Sequence, residues 1–292
     1  MEQNSRFGSL INDLINCKNH SREEIKDAFT VVLNNHTTDF QQGAFLAALS
    51  AKGETAEEVA GAWEAIYNID TLKTSLYSDD LVENCGTGMD SLKTFNISTA
   101  ASIIAAAAGV KMARHGSRAI TSFCGTVDIA EALGVDVDCN IKVIEESIEK
   151  AGIGLFNGMS SQIHPSALGR VLSQISFGST LNIAASLANP ALPRIAVRGV
   201  YSKKMLMPVA EVMKEIGYKR AIVLYGSAEN SDKGMDEASV CGTTYCVEIN
   251  KNIIGKYTFQ PEDFGLDKHK PELLYPKTDI DSEIKSFLSL LI

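Results

Sequence analysis

Residues 81–100 read LVENCGTGMDSLKTFNISTA. The short apolar run Leu81 to Asn84 has the length of a strand, the glycine-containing segment CGTGMDS breaks it, and Ser98 to Ala108 continues as a helix. Further short apolar runs at Lys111 to Ala113, Arg194 to Val197 and Ala221 to Tyr225 each lie near a segment of helical period, such as Ile141 to Lys150 or Met207 to Ile216. Alternating strands and helices predict an α/β domain. Asn182 to Asn189 is too short to classify.

Upstream the period changes. From Ser9 to Asn68 apolar residues recur at helical spacing, as in Leu10, Leu14, Ile15 and then Ile25, Phe29, Val32, Leu33. Ser21 with Glu24, and Thr55 with Glu58, are capping-box patterns that place two helix starts, and Gly53 separates two helices. A small helical domain over 1–70 is therefore expected ahead of the α/β domain over 78–292. The polar stretch Asp70 to Asp80 reads as the linker.

The whole chain has 292 residues, 45% of them apolar and 22% charged, which excludes disorder, collagen and coiled coil. Lys and Arg number 27 against 36 Asp and Glu, and a net charge of -9 disfavours nucleic acid and anionic membrane as partners. The start MEQNSRFGSL has no basic n-region followed by an apolar h-region, so a cytoplasmic protein is expected. Ala100 to Val110, the most apolar stretch, is about half the ~20 residues of a membrane span and reads as a buried helix. The six cysteines form no CxxC pair and read as reduced thiols.

Chemistry concentrates in a few loops. The glycines of Gly86-Thr87-Gly88-Met89-Asp90 let the backbone turn sharply and bring N–H groups close to an anion, although a plain tight turn explains a lone GTG equally well. Asn96, Ser98 and Thr99 add hydrogen-bonding side chains where the helix begins, and its N-terminus adds partial positive charge; together these favour anion binding. Arg114-His115-Gly116-Ser117-Arg118 sets two guanidinium groups and an imidazole at a strand end, with a solvated basic turn as the alternative. Cys124-Gly125-Thr126-Val127-Asp128 runs into a helix and is either a second oxyanion cradle or an ordinary cap. Asp236 and Glu237 follow the strand AIVLYG and a polar loop, outside a strand's carboxyl end, where open α/β sheets bind ligands. Paired hard oxygens suit Mg²⁺ shared with substrate phosphates, and a solvated acidic loop is the other reading. His164 before Pro165 contacts an acceptor or sits in a surface loop. Lys203 and Lys204 read as solvated. No Ser/His/Asp order, zincin pattern or complete GxxxxGKS loop is present, which leaves phosphate plus Mg²⁺ binding as the class.

Five ordered blocks carry a resemblance: DFQQGAFLAALSAKGETAEEVAG, GTGMDSLKTFNIST, RHGSRAITSFCGTVDIAEALGV, GIGLFNG with HPSAL, and GMDEASVCGTT. Over roughly Leu10 to Leu266 the chain resembles the anthranilate phosphoribosyltransferase family, within the group that includes the pyrimidine nucleoside phosphorylases. The resemblance implies a helical N-terminal domain, which makes a homodimer contact and is joined by a helical segment near 165–185. It also implies an α/β domain whose central mixed, mostly parallel sheet is flanked by helices, with phosphoribosyl pyrophosphate between the domains. Gly86, Thr87, Gly88, Asp90, Thr94, Asn96, Ser98, Thr99, Arg114 and Thr126 would hold that donor. Ser98, Asp236 and Glu237 would bind Mg²⁺, and His115, Ser117, His164 and Arg170 would meet a small aromatic acceptor.

The implied reaction is displacement of pyrophosphate from the ribose C1 by an aromatic amine, anthranilate by default, as in tryptophan biosynthesis, with no covalent nucleophile. Several positions depart from the family pattern. Met89 stands where the loop GTGGD has glycine, and it is expected either to crowd the phosphate or to force a different backbone angle. Arg114 stands for Lys, Ser117 for Asn, and Ala185-Ser186 for Gly-Pro. The helix after HPSAL reads GRVLSQISFGS, whose nearest arginine, Arg170, is out of register with the family's carboxylate clamp. Family members continue with further helices past position 292. Alternative readings are a different acceptor, a catalytically silent ligand-binding paralogue, or a pyrimidine nucleoside phosphorylase.

Overall fold

The computed structural model describes residues 2–76, 78–88, 90–119, 124–175, 177–229 and 231–291, with residues 2–4 described by their backbone alone. Contacts divide the chain into two units, residues 1–73 with 158–192 and residues 74–157 with 193–292.

The first unit opens with four helices, α1 (Glu2–Ile15), α2 (Arg22–Leu33), α3 (Asp39–Lys52) and α4 (Ala56–Ile69). Both capping boxes form: Ser21 and Thr55 each accept from the backbone of the glutamate three residues on, which returns a carboxylate to the cap. Phe29 and Phe45 are fully buried, and Phe45 meets the Phe7 and Phe29 rings at 5.3 and 5.2 Å. Two later helices complete this unit, α8 (Leu168–Gln174) and α9 (Thr180–Ser186), and the Trp63 indole donates to the Leu187 carbonyl at 2.9 Å.

The stretch read as a linker is divided. Asp70 has no solvent exposure and its carboxylate accepts from the backbone of Ser166, Ala167 and Leu168. Those bonds, with Leu72 donating to the Ile163 carbonyl, tie residues 70–73 and the whole of 158–192 into the helical unit, a wider segment than the 165–185 expected. The segment 182–189, left unclassified from sequence, is largely α9.

The second unit runs β1 (Val82–Cys85), α5 (Ile97–Ala107), β2 (Met112–Gly116), α6 (Thr126–Ala132), α7 (Ile141–Ala151) and β3 (Ile153–Asn157). It resumes with β4 (Ile195–Gly199), α10 (Leu206–Ile216), β5 (Arg220–Ser227), β6 (Gly234–Met235), β7 (Thr244–Asn250), β8 (Ile253–Phe259) and α11 (Ile280–Leu288). The strands form one sheet in the order β3-β2-β1-β4-β5-β7-β8, with β6 paired to β5. β3 through β5 are parallel and β6, β7 and β8 antiparallel, which is the mixed, mostly parallel sheet expected from sequence. The chain leaves β1 toward β2 and β3 on one side, while β4 pairs on the other, so the order switches at β1. In open sheets that switch creates a crevice at the carboxyl ends of the two strands, here at Gly86 and Gly199. Among the described residues no helix is long and apolar enough to cross a membrane.

Candidate active site

The loop after β1 turns because Gly88 adopts φ +70°, a left-handed conformation that favours glycine. Gly86 is required for a different reason. A Cβ there would lie 2.4 Å from Asp236 Oδ2, so the Asp236 carboxylate seats directly on the loop backbone. The Gly88 N–H donates to that Oδ2 at 2.6 Å and the Thr87 hydroxyl at 3.3 Å. On the other side a Cβ on Gly199 would lie 1.7 Å from the Asp236 carbonyl oxygen, so the end of β4 holds the same residue.

Glu237 faces the start of α5. Its Oε1 accepts from the Ser98 hydroxyl at 2.6 Å and the Ser98 N–H at 3.1 Å. α5 has no side-chain cap, because the Asn96 amide donates instead to the Cys124 carbonyl at 3.2 Å. The Glu237 carboxylate thus takes up the Ser98 N–H of the first turn of α5, where the helix dipole adds partial positive charge that favours an anion. Behind it, Asn84 on β1 donates to the Ser98 carbonyl at 2.9 Å, and Ser102 donates to Asn84 Oδ1 at 2.6 Å, fixing the helix to the strand. Sequence reading missed Asn84, Ser102 and Gly199; only the position of Gly199 at a strand end gives any signal for it.

Arg114 lies on β2 with its side chain buried. Nη2 donates to Thr126 Oγ1 at 3.3 Å, and that hydroxyl is 3.2 Å from Thr99 Oγ1, so β2, α6 and α5 meet through three expected residues. Nε and Nη1 are buried without a partner among the described residues, and loss of hydration holds the guanidinium below its ordinary pKa. Two unpaired donors on a buried cation are unfavourable unless an anion completes them. Thr94 is half-buried in the segment between the loop and α5.

Carboxylates crowd the same crevice. Asp90 is raised to about 6 by burial and then by the negative charge of Asp236, against the opposing pull of Lys93, whose Nζ is 3.1 Å away. Glu237 is raised to about 7, chiefly by loss of hydration and next by Asp236. Among the described residues no group of three or more His, Cys, Asp or Glu side chains is spaced to hold a metal by itself. The donor set fits Mg²⁺ nonetheless, because that ion takes one or two carboxylates and completes its octahedron with water and substrate phosphates. A divalent cation would also relieve the repulsion that raises Asp90 and Glu237.

The residues expected at the acceptor divide between the units. His115 is buried on β2, and Ser117 follows it, its carbonyl accepting from the Val127 N–H at 3.3 Å. His164 belongs to the helical unit, where its Nδ1 is 2.7 Å from the Asp70 carbonyl; loss of hydration lowers its pKa, so it is neutral at pH 7. Arg170, expected to meet an acceptor, is instead engaged inside the helical unit: Nη1 donates to Gln42 Oε1 at 3.0 Å and Nη2 to the Val32 carbonyl at 2.7 Å, tethering α8 to α3 and α2. Met89 lies outside the described residues.

Comparison with known proteins gives concordant matches. The helical bundle domain of the glycosyl transferase family matches residues 8–68, and the a/b domain of that family matches residues 78–284. An anthranilate phosphoribosyltransferase of Methanothermobacter marburgensis is 35% identical over 291 residues, covering 98% of this chain and 82% of the relative. One from Desulfosudis oleivorans is 38% identical over 272 residues, covering 91% and 77%. Among solved structures, the anthranilate phosphoribosyltransferase of Thermus thermophilus superposes with a TM-score of 0.84 at 28% identity, covering 95% of this chain and 80% of that one. The Saccharomyces cerevisiae protein in complex with phosphoribosyl pyrophosphate and Mg shares the fold at a TM-score of 0.82 and 21% identity, covering 97% and 80%.

Proposed function

This chain belongs to the glycosyl transferase family that includes the anthranilate phosphoribosyltransferases, and from that premise we propose how its α/β unit performs the reaction. It is a pentosyltransferase that moves a phosphoribosyl group from phosphoribosyl pyrophosphate to anthranilate and releases pyrophosphate, a step of tryptophan biosynthesis. Gly86, Thr87, Gly88 and Asp90, with Thr94, Asn96, Ser98 and Thr99, form the cradle for the donor. Arg114, oriented by Thr126, supplies its two unpaired nitrogens to a phosphoryl group. The observation that carries this reading is the meeting of the glycine loop, the uncapped α5 and the Asp236-Glu237 pair at one sheet crevice.

The reaction develops positive charge at the ribose C1 and negative charge on the departing pyrophosphate. Backbone N–H groups of the loop would receive that negative charge, that of Gly88 in exchange for its bond to Asp236 Oδ2, and losing one such donor typically costs ~3 kcal/mol of transition-state stabilisation. Ser98, Asp236 and Glu237 would hold Mg²⁺, which supplies charge neutralisation of the pyrophosphate. The aromatic amine needs little activation, so no residue acts as a covalent nucleophile. His115 and Ser117 in the α/β unit, and His164 in the helical unit, are the candidates for the acceptor. The engagement of Arg170 favours an aromatic amine held without a bidentate carboxylate clamp as a second reading of the acceptor. We place the protein in the cytoplasm as a homodimer through the helical unit, where Phe40 is 92% and Ile15 65% exposed.

Pyrophosphate release tests the reading. With donor, Mg²⁺ and anthranilate, wild type should turn over and a variant carrying Asp236→Ala and Glu237→Ala should not. Release equal in the variant, or none from wild type with anthranilate or any aromatic amine of a panel, would contradict it.

A further inference from the structure

Away from the glycine loop, the α/β unit has a second concavity of about 400 Å³ between the start of α10 and the β7–β8 hairpin. Lys203 and Lys204 reach it from a single turn, Lys203–Met205, directly before α10, and Lys256 reaches it from β8. Tyr245 pairs with Thr258 and Val247 with Lys256, so these four share one face of the hairpin. The Lys203 ammonium lies 3.4 Å from the centre of the Tyr245 ring, a cation–π contact that holds it over the sheet.

Among the described residues seven lysines are ion-paired and the remainder, those of this groove included, are not. Lys18, Lys26, Lys52, Lys93, Lys150, Lys219 and Lys268 each have a carboxylate within ion-pair distance. Among the described residues, Lys203, Lys204 and Lys256 have none, although the chain as a whole carries -9. Three ammonium groups from two elements thus rim one depression, where an anion would meet complementary charge. The N-terminal end of α10 adds partial charge of the same sign. Between the lysines the lining is apolar and polarisable, with Leu206, Met207 and Val247. That combination suits a ligand whose body is hydrophobic and whose periphery is anionic, and the volume lies within the range of small-molecule sites.

We propose that this groove is a second ligand site, separate from the glycine loop, that takes an aromatic anion: a ring system bearing a carboxylate, sulfonate or phosphate group. In the sequence only the two adjacent lysines signal it, because Lys256 and Tyr245 join them through the hairpin register.

The test uses the full chain and the fluorescent aromatic sulfonate 1-anilinonaphthalene-8-sulfonate. Wild type should bind it saturably and more weakly at high salt. Lys203→Ala with Lys256→Ala should weaken binding about tenfold or more, a loss of ~1.4 kcal/mol or greater, while Lys203→Arg with Lys256→Arg keeps it and both variants retain turnover. Lys204→Ala with Lys256→Ala serves as a second pair should the first melt early by circular dichroism. Displacement of the probe by 1-naphthoate or by 1-naphthyl phosphate would support the site and identify its anionic group. Equal probe binding in the alanine variants, absence of saturable binding, or displacement by neither competitor would overturn it.

Discussion

Replacing Gly86 with alanine puts the smallest side chain at a point of the site with no room for it. The new Cβ would lie 2.4 Å from Asp236 Oδ2 and 2.6 Å from its Cγ, well inside the ~3.5 Å of a comfortable contact. Asp236 has little room to retreat, because its own backbone rests on Gly199. Either the strain stays, at about 1–3 kcal/mol for an overpacked site, or the carboxylate rotates away from the Gly88 N–H and forfeits a charge-assisted bond of about 1.5–3 kcal/mol. Both routes give a loss near 2 kcal/mol, or roughly 4–8 °C in Tm for a domain of this size. Thermal melts and donor titrations of G86A should show that drop together with a donor affinity about tenfold weaker or worse. In a D236A background the clash partner is gone, so adding G86A should cost less than roughly 0.5 kcal/mol. A wild-type Tm and donor affinity for G86A, or full additivity with D236A, would refute the packing argument.

Further outcomes follow from the same geometry. Glu237, at about 7 when folded, keeps a proton that the unfolded chain releases near its ordinary 4.5; the metal-free protein should therefore lose stability as pH rises from about 4.5 to about 7. E237Q should flatten that profile, as read by melts across pH, and Mg²⁺ affinity of wild type should rise over the same interval. Arg114→Met removes a buried cation with two unpaired nitrogens, so donor affinity should fall about 10- to 100-fold while the ligand-free Tm holds or rises; a Tm loss with unchanged affinity would make Arg114 merely structural. Asp70→Ala frees three backbone donors at the start of α8 and should cost about 3 kcal/mol in urea unfolding. Arg170→Ala should lower stability and leave the acceptor KM unchanged, which steady-state kinetics would check.

Where one local signal decides the structure, the sequence was legible. The strand, glycine loop and helix of residues 81–108 needed only a short apolar run, a break and an alanine-rich stretch, and the two capping boxes marked α2 and α4. β7 and β8 escaped, because Cys246 and Val247 are adjacent and both buried, and their turn is Lys251-Asn252 in left-handed conformation, φ 47° and 70°, with no glycine to announce it. β3 was hidden as five residues between a helix and a loop. At the site, the polar character of Ser98, Asp236 and Glu237 was visible, but their partners were not: Gly88 and Asp236 are 148 positions apart and Ser98 and Glu237 are 139 apart, joined only by the sheet order. Arg170 shows the converse, since its residue type suggested a ligand and the packing of α8 gave it two internal acceptors.

Calorimetric titration of phosphoribosyl pyrophosphate into wild type and into a variant carrying Asp236→Asn and Glu237→Gln, each with Mg²⁺ and with chelator, tests the central claim most directly. Saturable binding confined to wild type with Mg²⁺ is the predicted result. Equal binding in chelator, equal binding by the variant, or no binding at all would contradict the assignment of a donor gripped between main-chain amides and a carboxylate-held cation.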